Sequence, residues 1–399
     1  MNILFLALAE VSSFSDRGIY TDLIRELIRN GQDVFFVCAT ERRNKRKTTL
    51  IKQGENGNLL KVKTFNIQKT NVLEKGIGML AIKGRFIKAI KKYFKGIRFD
   101  LILYPTPPIT LYGVVKYFKK RDNAKTYLML KDIFPQNAVD LGMMKTTGFK
   151  GLIYKYFRKQ EKKLYAISDR IGCMSPANVE YVLKHNPEVN KDKIEVFPNC
   201  IEVQDISLTD EEKKNIRIKY GLPLDKKIFV YGGNLGKPQG IPFIIECLKS
   251  EKDNNKVFFL IVGDGTEYLK LETYSKESKQ ENFKLLKRLP TDEFDIVLAS
   301  CDIGLIFLDF RFTIPNFPSR LLSYMQAKLP VLACTDTASD IGETIIEGGF
   351  GWCCESNNIN SFINCISLSL CDFSNKKNNS FDYLKKNYST KLYYFNLLK

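Results

Sequence analysis

Short apolar segments alternate with longer segments of helical periodicity along almost the whole chain. A strand buried on both faces of a parallel sheet reads as such a short run, and an amphipathic helix connects it to the next strand. In the first half of the chain we predict strands at residues 2–9, 33–39, 101–104, 125–130 and 170–174. In the second half we predict them at residues 228–231, 257–262, 282–285, 303–307 and 331–333. The pattern therefore predicts an α/β fold of parallel sheets covered by helices on both faces.

The alternating pattern restarts after residues 193–199, where a strand runs into a proline turn and a polar stretch follows. We predict one Rossmann-like domain over residues 1–202 and a second over residues 203–379, and 399 residues are enough for both. The remaining residues, 380–399, are predicted to form one closing helix because apolar side chains recur every three or four positions. These are Phe381, Leu384, Tyr388, Leu392 and Phe395.

Composition narrows the chemistry that the chain can perform. The one histidine, His185, lies near a predicted helix end, so histidine-based metal sites and nucleophile pairs have little support. The ten cysteines are scattered without the spacing of a secreted disulfide framework, which fits a reducing cytoplasm. The formal charge of +18 favours an anionic partner, which charge alone leaves open among nucleic acid, an anionic membrane and phosphorylated small molecules.

Two glycine-rich turns follow predicted strands of the second half. In the first turn, 232–237, the glycines allow a phosphate to approach the backbone, and the helix that follows offers free N–H groups. The second turn, Gly263-Asp264-Gly265, places Asp264 either against a nucleotide or at a helix cap. An ordinary strand-to-helix turn explains each motif equally well when it is taken alone.

A third motif, Pro318-Ser319-Arg320, begins a helix that leads into the strand at Val331. A cation in the first turn of a helix is unfavourable against the helix dipole unless an anion is bound nearby. This position favours Arg320 as a phosphate ligand, and a solvated surface arginine is the alternative.

Taken together and in this order, the motifs resemble those of a known family over nearly the whole chain. The segments involved are the N-terminal strand and helix, residues 166–175, 197–199, the turn 232–237, and residues 262–265, 299–305 and 318–331. The chain resembles the retaining bacterial glycosyltransferases of family 4, especially the branch that builds O-antigen and capsular polysaccharide, including N-acetylfucosamine transferases. The resemblance implies the GT-B fold, in which two Rossmann-like domains face a cleft.

The chain departs from that family at four positions. Asn234 and Gln239 stand where most members carry the arginine and lysine that hold the donor diphosphate, so Lys237 and Arg320 are expected to supply that charge. Pro315 and Ser323 stand where the family has two glutamates, so only a hydroxyl is available for the donor ribose. The donor-binding residues implied by the resemblance are Gly232, Gly233, Asn234, Lys237, Gln239, Gly263, Asp264, Gly265, Pro318, Ser319, Leu321 and Ser323, with Arg320 as a catalytic residue.

The acceptor side is predicted at the ends of strands in the first half. Asp132, the second expected catalytic residue, follows a strand and would orient the acceptor hydroxyl or the reacting sugar, while Lys131 would neutralise phosphate. A helix cap before Pro135 is the alternative role of Asp132. Ser12, Ser13 and Arg17 lie in the loop after the first strand and are expected to face the same cleft.

These features predict transfer of an N-acetylated or deoxy hexose from a nucleotide donor, such as a UDP-sugar, to a lipid-diphosphate-linked saccharide. The chain contains no Asp-x-Asp triplet, so we expect transfer without a metal or any other cofactor. Basic amphipathic segments at 83–98 and 155–163 favour a cytoplasmic protein attached peripherally to the anionic inner membrane surface, although their lysines also suit plain solvent exposure. The alternatives are a sugar-nucleotide 2-epimerase of the same fold and a nucleic-acid-binding protein, the latter without any recognisable nucleic-acid module.

Overall fold

The computed structural model describes residues 1–67 and 72–398. The chain divides into two compact units, of which the first comprises Met1–Glu202 and Thr390–Lys399 and the second comprises Val203–Ser389. No helix in these two stretches is both long and apolar enough to cross a membrane.

The first unit contains an eight-stranded sheet with the strand order β3-β4-β2-β1-β5-β6-β7-β8. Its strands are β1 (Asn2–Leu6), β2 (Asp33–Glu41), β3 (Thr49–Lys52), β4 (Gly57–Thr64), β5 (Leu101–Thr106), β6 (Lys125–Leu130), β7 (Arg170–Cys173) and β8 (Ile194–Val196). Its helices are α1 (Ile19–Arg29), α2 (Val72–Tyr93), α3 (Tyr112–Asp122), α4 (Gln136–Asp140), α5 (Gly148–Ile167) and α6 (Pro176–His185). Neighbouring strands run parallel except for the β3–β4 pair, which is antiparallel.

Side chains of the first sheet are buried on both of its faces. Along β1, Ile3 and Phe5 belong to one core cluster, while Leu4 and Leu6 belong to the other. This alternation is the two-residue period of a strand, and helices cover both faces. Burial on both faces is the reason that the strand appears in the sequence as an uninterrupted apolar run.

The second unit contains a six-stranded parallel sheet with the strand order β11-β10-β9-β12-β13-β14. Its strands are β9 (Lys227–Asn234), β10 (Val257–Asp264), β11 (Phe283–Lys287), β12 (Ile303–Phe307), β13 (Val331–Thr335) and β14 (Gly351–Glu355). Its helices are α7 (Asp210–Lys219), α8 (Ile241–Ser250), α9 (Tyr268–Ser278), α10 (Thr291–Ala299), α11 (Arg320–Gln326), α12 (Ile341–Glu347), α13 (Ile359–Cys371) and α14 (Phe373–Asn387). The predicted α/β class with parallel sheets is confirmed in both units.

The strand order of the second sheet reverses at β9. From β9 the chain builds β10 and β11 on one side, and then returns to place β12, β13 and β14 on the other. Open α/β sheets bind ligands in the crevice beyond the carboxyl ends of the strands at such a switch point. A ligand site is therefore expected at the carboxyl ends of β9 and β12.

The prediction of one closing helix over residues 380–399 is wrong. Helix α14 ends at Asn387, and a separate helix, α15 (Thr390–Leu398), follows and belongs to the first unit. The break shifts the helical phase, so Leu392 and Phe395 are exposed, whereas Tyr394 and Leu397 pack in the core of the first unit.

Candidate functional site

Glycines at the ends of β9 and β10 allow two backbones and a ring to come close together. A Cβ on Gly232 would lie 2.0 Å from the Phe294 ring, and a Cβ on Gly263 would lie 2.2 Å from the carbonyl oxygen of Gly233. A Cβ on Gly265 would lie 2.3 Å from the carbonyl oxygen of Leu235. Close packing therefore requires these glycines whether or not a ligand is present.

Gln239 holds the turn after β9 from the inside. Its buried Oε1 accepts hydrogen bonds from Asn234 Nδ2 at 3.0 Å and from the Gly236 amide at 3.1 Å. The Leu235 amide donates to the carbonyl of Asp264 at 3.0 Å, which fastens the turn to the end of β10. These hydrogen bonds give Gln239 a structural role in the turn. The Lys237 side chain, in the same turn, is exposed.

Arg320 reaches from the start of α11 to the end of β9. Its Nη1 donates to the carbonyl of Gly232 at 2.6 Å, and its guanidinium carbon lies 4.3 Å from the centroid of the Tyr231 ring. The guanidinium is also the group nearest to Gly233, where an added Cβ would lie 3.0 Å from it. Gly233 has φ 134° and is exposed.

The surroundings of Arg320 leave part of its charge available. None of the carboxylates in the described part of the chain forms an ion pair with it. The carbonyl and the aromatic face stabilise a cation at a helix start, and so they explain in part why an arginine is tolerated there. One N–H is used by Gly232, and the guanidinium also interacts with the hydroxyls of Tyr231 and Tyr324. The donors that remain beside Gly233 can serve an anion.

Tyr324 joins β9 to β12 where the two strands stop pairing. The ladder between them ends at the Gly304–Val230 pair. Beyond it, the Tyr324 hydroxyl donates to the carbonyl of Leu305 at 2.8 Å and accepts from the Gly232 amide at 3.2 Å. The Tyr324 ring occupies the space in front of Gly304, where a Cβ would lie 2.4 Å away. This tyrosine was not singled out in the sequence, and it fixes the backbone position of the glycine turn.

Replacing Tyr324 with phenylalanine is expected to lower the free energy of unfolding by about 1–3 kcal/mol, because the buried Gly232 N–H loses its acceptor. Urea unfolding followed by circular dichroism measures the change. Tyr268→Phe is the matched control, since Tyr268 is also buried but its hydroxyl forms no hydrogen bond within the described residues. Equal losses in the two variants would contradict the bridging role of Tyr324.

The other residues near α11 that were predicted to bind the donor differ in how exposed their side chains are. Ser319 is exposed and directly precedes the helix, and Ser323 is half-buried one turn later. Leu321 is fully buried, so its side chain belongs to the core, and any contact of Leu321 with a donor would involve its backbone. The Leu321 amide donates to the carbonyl of Pro318 at 3.2 Å, which shapes the turn that begins the helix.

Asp309 also lies next to the glycine turn and pairs with Arg311, although no sequence signal pointed to either residue. The Asp309 amide donates to the carbonyl of Pro238 at 2.9 Å. Arg311 forms a bidentate pair with the Asp309 carboxylate, at 2.8 and 2.7 Å. Arg311 is thus already neutralised, in contrast to Arg320.

In the first unit, Lys131 and Asp132 follow directly after β6. Asn137 Nδ2 donates to Asp132 Oδ2 at 2.7 Å, and burial raises the pKa of Asp132 to about 6 despite this hydrogen bond and one from the backbone. Lys131 Nζ lies 3.4 Å from the carbonyl oxygen of Pro198 and 5.3 Å from the centroid of the Phe197 ring. Burial lowers the pKa of Lys131 to about 8.

The loop after β1 is held by its own polar groups. The Asp16 carboxylate accepts hydrogen bonds from the amides of Ser12 and Ser13, at 3.1 and 3.0 Å. The Ser13 hydroxyl donates to Gln53 Oε1 at 2.9 Å, and Arg17 is half-buried. The predicted contact of Ser12, Ser13 and Arg17 with a ligand stays a prediction.

Comparison with known proteins gives the chain two family matches. Residues 212–386 match the family described as Glycosyl transferases group 1, and residues 19–205 match Glycosyltransferase Family 4. WbjE of Pseudomonas aeruginosa, named as a probable glycosyltransferase, is 27% identical over 291 residues, which cover 72% of this chain and 70% of WbjE. WcaI of Escherichia coli K12, named for colanic acid biosynthesis, is 23% identical over 229 residues, or 57% of this chain and 54% of WcaI.

Among solved structures, HepE of Anabaena in complex with UDP superimposes with a TM-score of 0.70 and 13% sequence identity. The superposition covers 100% of this chain and 98% of HepE. At this identity the likeness concerns the fold, and it agrees with the predicted fold class of two Rossmann-like domains.

Proposed function

Since this chain is a glycosyltransferase of group 1 and family 4, we propose that it moves a sugar from a UDP-sugar donor to a saccharide of a surface polysaccharide. The main support for a donor site is the position of Arg320, because its guanidinium lies beside the exposed backbone of Gly233 at the switch point. HepE binds UDP and WcaI is named for polysaccharide biosynthesis, and both support this reading. The residues proposed to bind the acceptor lie in the first unit.

The donor diphosphate would lie over Gly233 and Asn234, with Arg320 as its main cationic ligand and Lys237 as a second. Ser319 would add a hydroxyl at the start of α11, and the half-buried Ser323 would hold the ribose by hydrogen bonding alone. When the bond between the anomeric carbon and the diphosphate oxygen breaks, negative charge grows on that oxygen. Fixed cations and backbone N–H groups that stabilise this charge supply the largest share of such catalysis.

On the acceptor side, Asp132 would accept a hydrogen bond and then the proton from the attacking hydroxyl as the new glycosidic bond forms. A pKa of about 6 keeps the carboxylate ionised at neutral pH and close enough to that pH to be an effective base. Lys131 would balance a phosphate of the acceptor, and Ser12, Ser13 and Arg17 would contact its sugar.

The finer features of the proposal come from the resemblance to family 4. The transferred sugar is an N-acetylated or deoxy hexose, such as N-acetylfucosamine. Its anomeric configuration is retained, so the acceptor hydroxyl would attack from the same face that the diphosphate leaves. The acceptor is a lipid-diphosphate-linked saccharide at the anionic inner face of the membrane, and the protein is cytoplasmic and peripherally attached. Transfer needs neither a metal nor a cofactor, because cationic side chains take the place of a diphosphate-bound metal ion.

The proposal is tested by incubating the purified protein with a panel of UDP-sugars, with and without a lipid-linked acceptor. Release of UDP that depends on the acceptor supports glycosyl transfer, and the rate is expected to be unchanged by EDTA. Formation of an epimer without acceptor would instead support the epimerase alternative, which both family matches disfavour. Failure to bind any sugar nucleotide would contradict both the glycosyltransferase and the epimerase hypotheses.

A further inference from the structure

A groove of about 690 Å³ lies on the surface of the first unit between three helices. Its lining residues lie on α2, on α3 and just before it, and on α5. The lining residues that matter most are Leu80, Lys83, Lys116, Tyr117, Lys120 and Tyr156. None of these residues is among those assigned to the donor or the acceptor.

Two of the helices that line the groove, α2 and α5, carry large apolar side chains that are exposed. Leu80 on α2 is 72% exposed, and Ile77 lies one turn before it and is also exposed. On α5, Tyr156 is exposed together with Leu152 and Ile153, which precede it by one helical turn. Large apolar side chains exposed together on neighbouring helices are a feature of interaction surfaces.

The groove itself carries uncompensated positive charge. Lys83, Lys116 and Lys120 are exposed, and none of them forms an ion pair with a carboxylate in the described part of the chain. The nearby acidic side chains are engaged elsewhere, since Asp122 pairs with Arg121 and Glu161 with Arg158. The charge of the groove therefore favours an anionic occupant.

We infer that the groove and its rim, formed by Ile77, Leu80, Leu152, Ile153 and Tyr156, dock on an anionic phospholipid surface. The apolar rim enters the boundary between headgroups and acyl chains, and the three lysines contact lipid phosphates. A second copy of this chain would bring the same lysines against one another, so charge favours lipid as the partner. The inference rests on the proposed function, since it gives the membrane partner of that enzyme a defined contact surface.

The test is co-sedimentation of the full chain with phosphatidylcholine vesicles that either contain or lack phosphatidylglycerol. Binding is expected only with phosphatidylglycerol. Changing Lys83, Lys116 and Lys120 together to alanine is expected to weaken that binding by about 100-fold, or about fivefold for each lysine. Leu80→Glu is expected to weaken it at least about tenfold, because a carboxylate then faces the headgroups.

Matched controls exist in the second unit. Leu269, on α9, is 70% exposed, so Leu269→Glu controls for Leu80→Glu. Alanine at Lys214, Lys252 and Lys256, which are exposed and likewise unpaired within the described residues, controls for the triple lysine change. Control variants that lose binding as strongly, or binding without dependence on phosphatidylglycerol, would overturn the inference.

Two further measurements separate the remaining outcomes. A concentration-dependent dimer seen without lipid by sedimentation velocity, and abolished by Leu80→Glu, would assign the surface to self-association and overturn the lipid assignment. Calorimetric binding of UDP without vesicles tests the donor site alone, and Leu80→Glu is expected to leave it unchanged. Vesicle binding without UDP binding would overturn the proposed function only, whereas the reverse would overturn the docking surface only.

Discussion

Arg320→Ala is expected to weaken UDP binding by about 10- to 100-fold and to lower kcat/KM by about 1,000-fold. The binding loss reflects charge-assisted hydrogen bonds to the diphosphate, each of which contributes about 1.5–3 kcal/mol. The additional loss in rate arises because negative charge on the diphosphate increases in the transition state. Titration calorimetry with UDP and initial rates at low donor concentration measure the two effects separately.

Two variants sharpen the Arg320 experiment. Arg311→Ala removes an arginine that follows the next strand but is already paired with Asp309, so its effect on UDP binding is expected to be small. Arg320→Lys keeps the charge but loses the planar fork, and it is expected to fall between the wild type and Arg320→Ala. Unchanged UDP affinity in a folded Arg320→Ala protein would refute the assignment of Arg320 to the diphosphate.

Asp132→Asn is expected to lower kcat by about 100- to 1,000-fold while leaving UDP affinity unchanged. The amide can still accept a hydrogen bond but cannot take up the proton of the acceptor hydroxyl, and general-base catalysis contributes about 10²–10⁴-fold. Steady-state rates with saturating donor measure the change in kcat. Asp140→Asn, a carboxylate on α4 with no assigned role in transfer, is the control.

The raised pKa of Asp132 also predicts two pH dependences. In the wild type, kcat is expected to fall as the pH drops below about 6, because the carboxylate becomes protonated. The folded-state pKa lies above the ordinary value, so the folded state holds the proton more tightly and loses stability as the pH rises through 6. Asp132→Asn should therefore unfold at a higher temperature than the wild type at pH 8, with the difference disappearing near pH 4. A kcat that stays level down to pH 5 would argue against Asp132 as the base.

Much of the fold was predictable because most strands are buried on both faces. Strands β5, β6 and β12 are mostly apolar and almost entirely buried, and their predicted and observed limits agree within two residues. The β3–β4 hairpin was missed for the opposite reason. Strand β3 is the sheet edge and is half exposed, and β4 contains Lys61, which is buried beside Glu10 at 3.8 Å and interrupts the apolar pattern.

The candidate site was only partly predictable. Local chemistry and helix position were enough to single out the glycine turn and Arg320, and the structure brings these two together. The sequence could not identify Tyr324 as the link between β9 and β12, since that contact depends on which strands are neighbours. It also gave no sign that Gln239, predicted as a ligand contact, accepts two hydrogen bonds within the turn.

The return of α15 to the first unit sets the order in which the protein can mature during translation. Tyr394 and Leu397 fill part of the core formed around β1, yet the ribosome reaches them only after all of residues 203–389. The N-terminal unit therefore emerges first but completes its core after the second unit has been synthesised. Until then its apolar surface near β1 stays uncovered, which makes the nascent chain a candidate client for chaperones.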